Sequence, residues 1–181
     1  MIDAEENRLV ERCLSGDEKA FESIIDACEN AIFNSIYRMI RRFDDAQDIT
    51  QRVFIKVFEN LKSFKSDYKL FSWIYRIAIN ETLNYINHQK PFNGLSDDLV
   101  DGSSPERDYD NQELEEKLQD ALMELDPQYR ILILLKHFQS FSYKEIAEIL
   151  AIPEQKVKSR LFTARHCLKD ILIRMEIISN D

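Results

Sequence analysis

The sequence predicts an all-α protein of two small helical domains joined by an acidic flexible linker, and three observations carry that expectation. Only three glycines and four prolines occur in 181 residues, too few for the many turns of a sandwich or barrel. Apolar residues make up 44% of the chain and recur at spacings of three and four, the period of amphipathic helices. Two of the three glycines and two of the four prolines fall within residues 91–110, so the chain is strongly punctuated once.

The elements follow in order. Asp17 is placed to cap a helix whose apolar positions recur at Ala20 and Phe21, Ile24 and Ile25, Cys28, Ala31 and Ile32, and Ile36. A second helix begins near Asp44 and Asp45, acids suited to the positive end of a helix dipole. It is expected to turn Ile49, Val53, Phe54, Val57, Phe58 and Leu61 inward. A third helix, over about residues 69–87, is rich in aromatics.

Beyond the linker a helix starts near Asn111, and another opens at Asp126-Pro127, an N-cap followed by proline at the first helical position. Ser142-Tyr-Lys-Glu145 is a capping box that starts a short helix, Tyr143–Leu150. Ala151 and Ile152 turn the chain, and Pro153 opens the last helix. Two helices joined by a tight turn, the second bearing surface cations, form a helix-turn-helix pattern, here without the common glycine.

Charge supports the same division. Residues 1–90 hold 13 basic and 15 acidic side chains, residues 91–116 one basic and nine acidic, and residues 117–181 ten basic and nine acidic. The net charge of −9 is therefore concentrated in the linker, at −8, between a first domain (1–90) and a second (117–181) that are nearly neutral.

Several function classes are disfavoured. No apolar run approaches the roughly 20 residues that cross a bilayer, and residues 1–12 are acidic without a secretory apolar stretch. No membrane insertion and a cytoplasmic location are expected. Cys13, Cys28 and Cys167 are odd in number, far apart, and share no ligand spacing with His88, His137 and His166. No metal and no cofactor are expected. Neither a phosphate-cradling glycine loop nor a nucleophile constellation occurs, which argues against an enzyme. The acids Asp44, Asp45 and Asp48 are better explained by helix-dipole placement than by catalysis.

Two segments carry binding chemistry. In residues 153–170, five cations oppose two acids, and Val157, Leu161, Ala164 and Leu168 fall on one side. The other side presents Lys156, Lys158, Ser159, Arg160 and Thr163, types that reach base edges and phosphates from a helix in the major groove. In residues 64–85, six of 22 side chains are aromatic, interleaved with Lys65, Lys69, Arg76, Asn80 and Asn84. Aromatic rings stack unpaired bases, cations track phosphates, and amides read base edges. Trp73 and Ile77 are expected in the core.

These blocks together resemble the extracytoplasmic-function (ECF) sigma factors of bacterial RNA polymerase. Asp45-Ala-Gln-Asp-Ile-Thr-Gln-Arg-Val-Phe-Ile-Lys-Val-Phe58 resembles their polymerase-binding helix. Phe71-Ser-Trp-Ile-Tyr-Arg-Ile-Ala-Ile-Asn80 resembles the segment that opens and reads the −10 element. Leu125-Asp-Pro-Gln-Tyr-Arg130, Ser142-Tyr-Lys-Glu-Ile-Ala147 and Val157-Lys-Ser-Arg-Leu-Phe-Thr-Ala-Arg165 resemble the −35-binding domain. The likeness spans about residues 15–175 in the family's order.

The resemblance implies sigma region 2 in the first domain, sigma region 4 in the second, and a set of residue roles. Asp45, Asp48, Gln51 and Lys56 would meet core RNA polymerase at the clamp coiled coil of its largest subunit, with the flap region as a second contact. Phe64, Lys65, Tyr68 and Lys69 lie where the family captures a flipped −10 base, and Arg76, Asn80 and Asn84 would follow the melted strand. Lys156, Lys158, Ser159, Arg160, Phe162, Thr163 and Arg165 would face −35 duplex, and Lys144 its phosphates. The absence of a third domain matches the minimal class, whose members are typically held by an anti-sigma factor. Three departures stand out: Arg52 where an acid is usual, Thr163 where a cation is common, and a less basic Asn87-His-Gln-Lys90.

Two other readings fit parts of the chain. A helix-turn-helix repressor or activator would explain the second domain and leave the aromatic segment as core. A helical adaptor that binds only proteins would leave the cationic last helix unexplained. The acidic linker is expected to keep the free protein off DNA through Asp97, Asp98, Asp101, Asp108 and Asp110.

Overall fold

A computed structural model of the chain describes residues 4–66, 68–89 and 109–179. Among them there is no strand, and eight α-helices carry the fold. The first four are α1 (Ala4–Leu14), α2 (Glu18–Ile40), α3 (Phe43–Asn60) and α4 (Leu70–His88); the last four are α5 (Tyr109–Glu124), α6 (Pro127–Ile133), α7 (Tyr143–Leu150) and α8 (Glu154–Arg174). A 3₁₀ turn, Leu61–Ser63, follows α3, and a π-helical turn, Leu134–Phe138, follows α6. The acids expected to repel DNA at positions 97, 98, 101 and 108 lie outside the described residues, and Asp110 is described only as part of the α5 backbone.

In the first half, α2, α3 and α4 pack around Ile24, Cys28, Ile32, Ile36, Ile49, Val53, Val57, Ile74 and Ala78, each at most 3% exposed. Asp17 caps α2 by accepting from the Ala20 amide at 3.4 Å, and Arg12 grips its other oxygen. Helix α1 is not among the elements expected from the sequence. It forms because Leu9, Val10 and Cys13 fall on one face and pack onto the core. It also does local work: Glu6 Oε2 accepts from the Leu70 amide at 3.0 Å, capping α4, whose N-cap Lys69 offers no acceptor of its own. Phe58 departs from the expected inward stripe. It is 64% exposed and meets Phe21 edge-on, with ring centroids 5.2 Å apart.

In the second half, Asp126 accepts from the Gln128 amide at 2.8 Å, and Pro127 occupies the first turn of α6. The Ser142–Glu145 capping box is complete. Ala151 ends α7 with φ 51°, the left-handed conformation that glycine usually takes, and sends the chain into α8. Helix α5 starts at Tyr109, within the stretch the composition assigns to the linker, because Leu118, Ala121 and Leu122 continue a helical stripe from that point. The π-helical turn has no composition signal; it takes in the end of the apolar run Ile131–Leu135, and Phe141 just beyond it is in the core.

The two halves share one hydrophobic core, an arrangement that two modules on a tether would not require. Phe141 packs edge-on to Tyr75 at 5.0 Å. Gln139 Nε2 donates to Ser35 Oγ at 3.0 Å, which in turn is 3.2 Å from the Tyr75 hydroxyl. Arg38 pairs with Glu115 at 2.7 Å, and Arg41 with Asp120. Arg130, only 5% exposed, donates to the carbonyls of Leu122 (2.8 Å), Met123 (2.6 Å) and Leu125 (3.0 Å), and also to that of Met39. One guanidinium thereby satisfies the C-terminal ends of α5 and α2 together.

Candidate nucleic-acid and polymerase interface

The loop before α4 and the first two turns of that helix border a half-open cavity of about 260 Å³, lined by Ser63, Lys65, Tyr68, Ser72, Trp73 and Arg76, with Glu148 of α7. Phe64 is not offered to the cavity. It is half-buried, edge-on to Trp73 at 5.5 Å, and braces the wall. Trp73 and Ile77, expected in the core, are only half-buried, and Trp73 shares its surface between core and cavity. Ser72 lies within the Phe71–Asn80 stretch, but no role is expected of it from the sequence. It is 3% exposed, and its Oγ is the one buried side-chain polar atom without a hydrogen-bond partner among the described residues.

Arg76, Asn80 and Asn84 are all exposed, at intervals of four, so they form one stripe running down α4 from the cavity. Lys69 lies beside it but is engaged: its Nζ is 2.7 Å from Glu145 Oε1 of α7. The ammonium is held more firmly protonated than usual by that hydrogen bond and charge.

Helix α3 presents Asp48 and Gln51 to solvent, followed by Ile55 at 57% exposure and Phe58. Asp45 differs from the expected exposed row. It accepts from the Tyr85 hydroxyl at 2.5 Å and pairs with Arg42 at 2.7 Å, because α4 crosses α3 at this point. Burial, then the hydrogen bond to Asp45, pushes the Tyr85 phenol up to about 12. Lys56 is exposed but pairs with Glu81 of α4 at 2.6 Å. The apolar pair Ile55 and Phe58 falls within the Asp45–Phe58 stretch, but only the exposure marks it as surface.

On α8, Val157, Leu161 and Ala164 are buried, and Leu168 is half-buried, on the expected side. Lys156, Lys158, Ser159, Arg160, Phe162, Thr163 and Arg165 are exposed, as is Lys144 on α7. They are not equally available. Lys158 pairs with Glu154 at 2.7 Å and lies 5.6 Å above the Tyr143 ring. Thr163 and Ser159 bond back to the carbonyls of Ser159 and Lys156. Arg165 Nε donates to His137 Nε2 at 3.2 Å; burial, with the charges of Arg165 and Lys136, pulls the imidazole below its usual range and keeps it an acceptor. Phe162, 65% exposed, pairs edge-on with His166 at 4.4 Å.

The surface thus offers a base-sized cavity leading to an amide stripe, a mixed polar and apolar helix face, and a cationic helix-turn-helix. Among the described residues no helix is long and apolar enough to cross a membrane.

Known proteins combine the same parts. Residues 24–91 match the Sigma-70 region 2 family, and residues 115–168 match Sigma-70, region 4. The chain is 34% identical over 173 residues to the ECF RNA polymerase sigma factor SigW of Bacillus subtilis, covering 88% of this chain and 92% of that protein. It is 33% identical over 175 residues to the ECF RNA polymerase sigma-E factor of Haemophilus influenzae, covering 90% and 92%. Among solved structures, CnrH in complex with the cytosolic domain of CnrY superposes with a TM-score of 0.73 at 21% identity, covering 92% and 96%. The sigma factor RpoE of Bartonella quintana, in complex with the anti-sigma factor NepR, superposes with a TM-score of 0.70 at 23% identity, covering 85% and 97%. With both family regions in order and such identity over nearly the whole chain, the protein belongs to the ECF sigma factors of RNA polymerase.

Proposed function

We propose that this sigma factor divides promoter recognition between two surfaces while α3 holds the polymerase. The cavity beside Ser72 takes one unpaired base of the −10 element, and Arg76, Asn80 and Asn84 follow the melted strand. The exposed face of α8, led by Lys156 and Arg160, enters the −35 duplex, with Lys144 on a phosphate. Asp48 and Gln51, extended by Ile55 and Phe58, meet the clamp coiled coil of the largest polymerase subunit, and the second half meets the flap region. The chain works by binding, without catalysis of its own, and does so in the cytoplasm, where the polymerase is.

The observation that carries this proposal is a cavity large enough for one base, lined by Tyr68, Trp73 and Ser72, whose buried hydroxyl has no hydrogen-bond partner. A buried polar group left unpaired in a native protein calls for a ligand or a strain that explains it. A flipped base costs a few kcal/mol to unstack, which aromatic walls such as Tyr68 and Trp73 offset by stacking at about 1–3 kcal/mol per base. A repressor that binds only duplex DNA has no use for this cavity. Control by an anti-sigma factor is part of the proposal, supported by family membership and by the NepR-bound RpoE of the same fold.

Permanganate reactivity of unpaired thymines tests the division of labour on a promoter that the loaded polymerase serves. Asn80→Ala with Asn84→Ala is expected to reduce opening about tenfold while leaving duplex binding intact. Lys156→Ala with Arg160→Ala is expected to weaken binding before any opening. Normal opening by the asparagine variant would remove α4 from the reading surface.

A further inference from the structure

The second half of the chain turns an acidic edge onto the −10 surface. Glu145 Oε1 accepts from Lys69 Nζ at 2.7 Å, and Glu148, nearly one turn further along α7, joins Lys65 and Arg76 in lining the cavity. Burial raises the Glu145 carboxyl, but hydrogen bonds from Lys69 and from the Ser142 hydroxyl and amide outweigh it and bring it to about 2. It is therefore a full anion at neutral pH. Just before α7, Phe141 is 7% exposed and sits against Tyr75 and, at 6.2 Å, Phe71. That aromatic anchor fixes where the two carboxylates fall. Arg38–Glu115 and Gln139–Ser35 fasten the halves on the other side.

We infer that α7 stands in for nucleic acid: in the free chain, Glu145 and Glu148 occupy the cationic mouth of the −10 cavity, and single-stranded DNA must displace them to enter. The inference rests on the assignment of that cavity to the melted strand. Size requires the displacement as well. A compact chain of this length has a radius of gyration of about 16 Å, whereas −10 and −35 elements lie roughly 80 Å apart at about 3.4 Å per base pair. The halves that share a core here must part before both elements are held. Parting would free Lys69, uncover the cavity and expose Phe141. The helix that guards the −10 surface belongs to the −35 reader, so engagement of one element would unmask the surface for the other.

Glu145→Gln with Glu148→Gln tests this in the full chain. Glutamine at position 145 keeps the capping box, so α7 persists. Binding of a fluorescent single strand of about 12 nucleotides and mixed sequence is followed by anisotropy at low salt, with small-angle scattering on the same samples. The double variant is expected to bind about fivefold more tightly than the parent, the scale of losing the exposed Lys69–Glu145 pair that helps hold the competing state, and to show a larger radius of gyration. A Lys65→Ala, Arg76→Ala pair, made in both backgrounds, reports whether binding uses the cavity. Equal affinity of parent and glutamine variant, with binding still sensitive to Lys65 and Arg76, overturns the competition and leaves the cavity assignment standing. Binding that ignores Lys65 and Arg76 overturns the assignment, and the competition with it.

Discussion

Arg130 offers the sharpest test of how the halves are held. Its guanidinium makes three hydrogen bonds of 2.6–3.0 Å to carbonyls at the end of α5, and another to Met39 at the end of α2. Burial pulls its pKa down to about 10, which leaves it charged at neutral pH. Replacement by methionine keeps much of the volume and strands several buried acceptors. Each stranded acceptor costs about 1–3 kcal/mol where water cannot reach it, and more than one is stranded at once. A loss of about 4 kcal/mol is expected, a large share of the 5–15 kcal/mol typical of a domain. Urea unfolding followed by circular dichroism measures it, and the melting temperature should fall by roughly 8–16 °C for a chain of this size. Arg130→Lys, with one compact ammonium, should recover only part of the loss. A change below about 1 kcal/mol in Arg130→Met would refute the view that this side chain caps two helices, since surface substitutions produce effects of that size.

Four other outcomes are expected of the same molecule. Ser72→Ala should leave stability unchanged or slightly higher, because it deletes an unsatisfied hydroxyl, while lowering promoter opening in the permanganate assay; a loss of stability would show that the hydroxyl has a hidden partner. Ala151→Gly should stabilise the chain by about 1 kcal/mol in thermal unfolding, since the position has φ 51°. Arg160→Ala should weaken duplex binding and lower the salt slope by about one, visible in a titration at several salt concentrations. The Glu145 carboxyl is depressed to about 2 in the folded chain, so its contribution is present above its ordinary pKa near 4.5 and is lost as pH falls through 2. Stability of Glu145→Gln measured against pH should therefore fall less steeply than the parent's between those limits.

Much of the fold was legible because its signals are local. Asp17, Asp126-Pro127 and Ser142–Glu145 each place a helix start by a hydrogen bond to a backbone amide within three residues, and all three form. The buried side of α8 follows from spacing alone. What sequence could not supply is long-range. Glu6 caps α4 from 64 residues away, Tyr85 draws Asp45 inward across the α3–α4 contact, and Phe141 reaches Tyr75 through the packing of the halves. Phe58 shows the limit of periodicity: it lies one position from Val57, yet Val57 is fully buried and Phe58 is largely exposed. At the candidate site, residue types marked Lys65, Tyr68, Arg76, Asn80 and Asn84 as nucleic-acid chemistry. Ser72 and Glu148 became visible only through burial and the contact with α7.

Run-off transcription with purified core polymerase, on bacterial genomic fragments and with or without this chain, tests the central claim most directly. Transcripts from discrete start sites that appear only when the chain is added are the predicted result, and their upstream sequences would give both promoter elements. Absence of any new transcript with related core enzymes, together with duplex binding by the chain alone, would contradict the account.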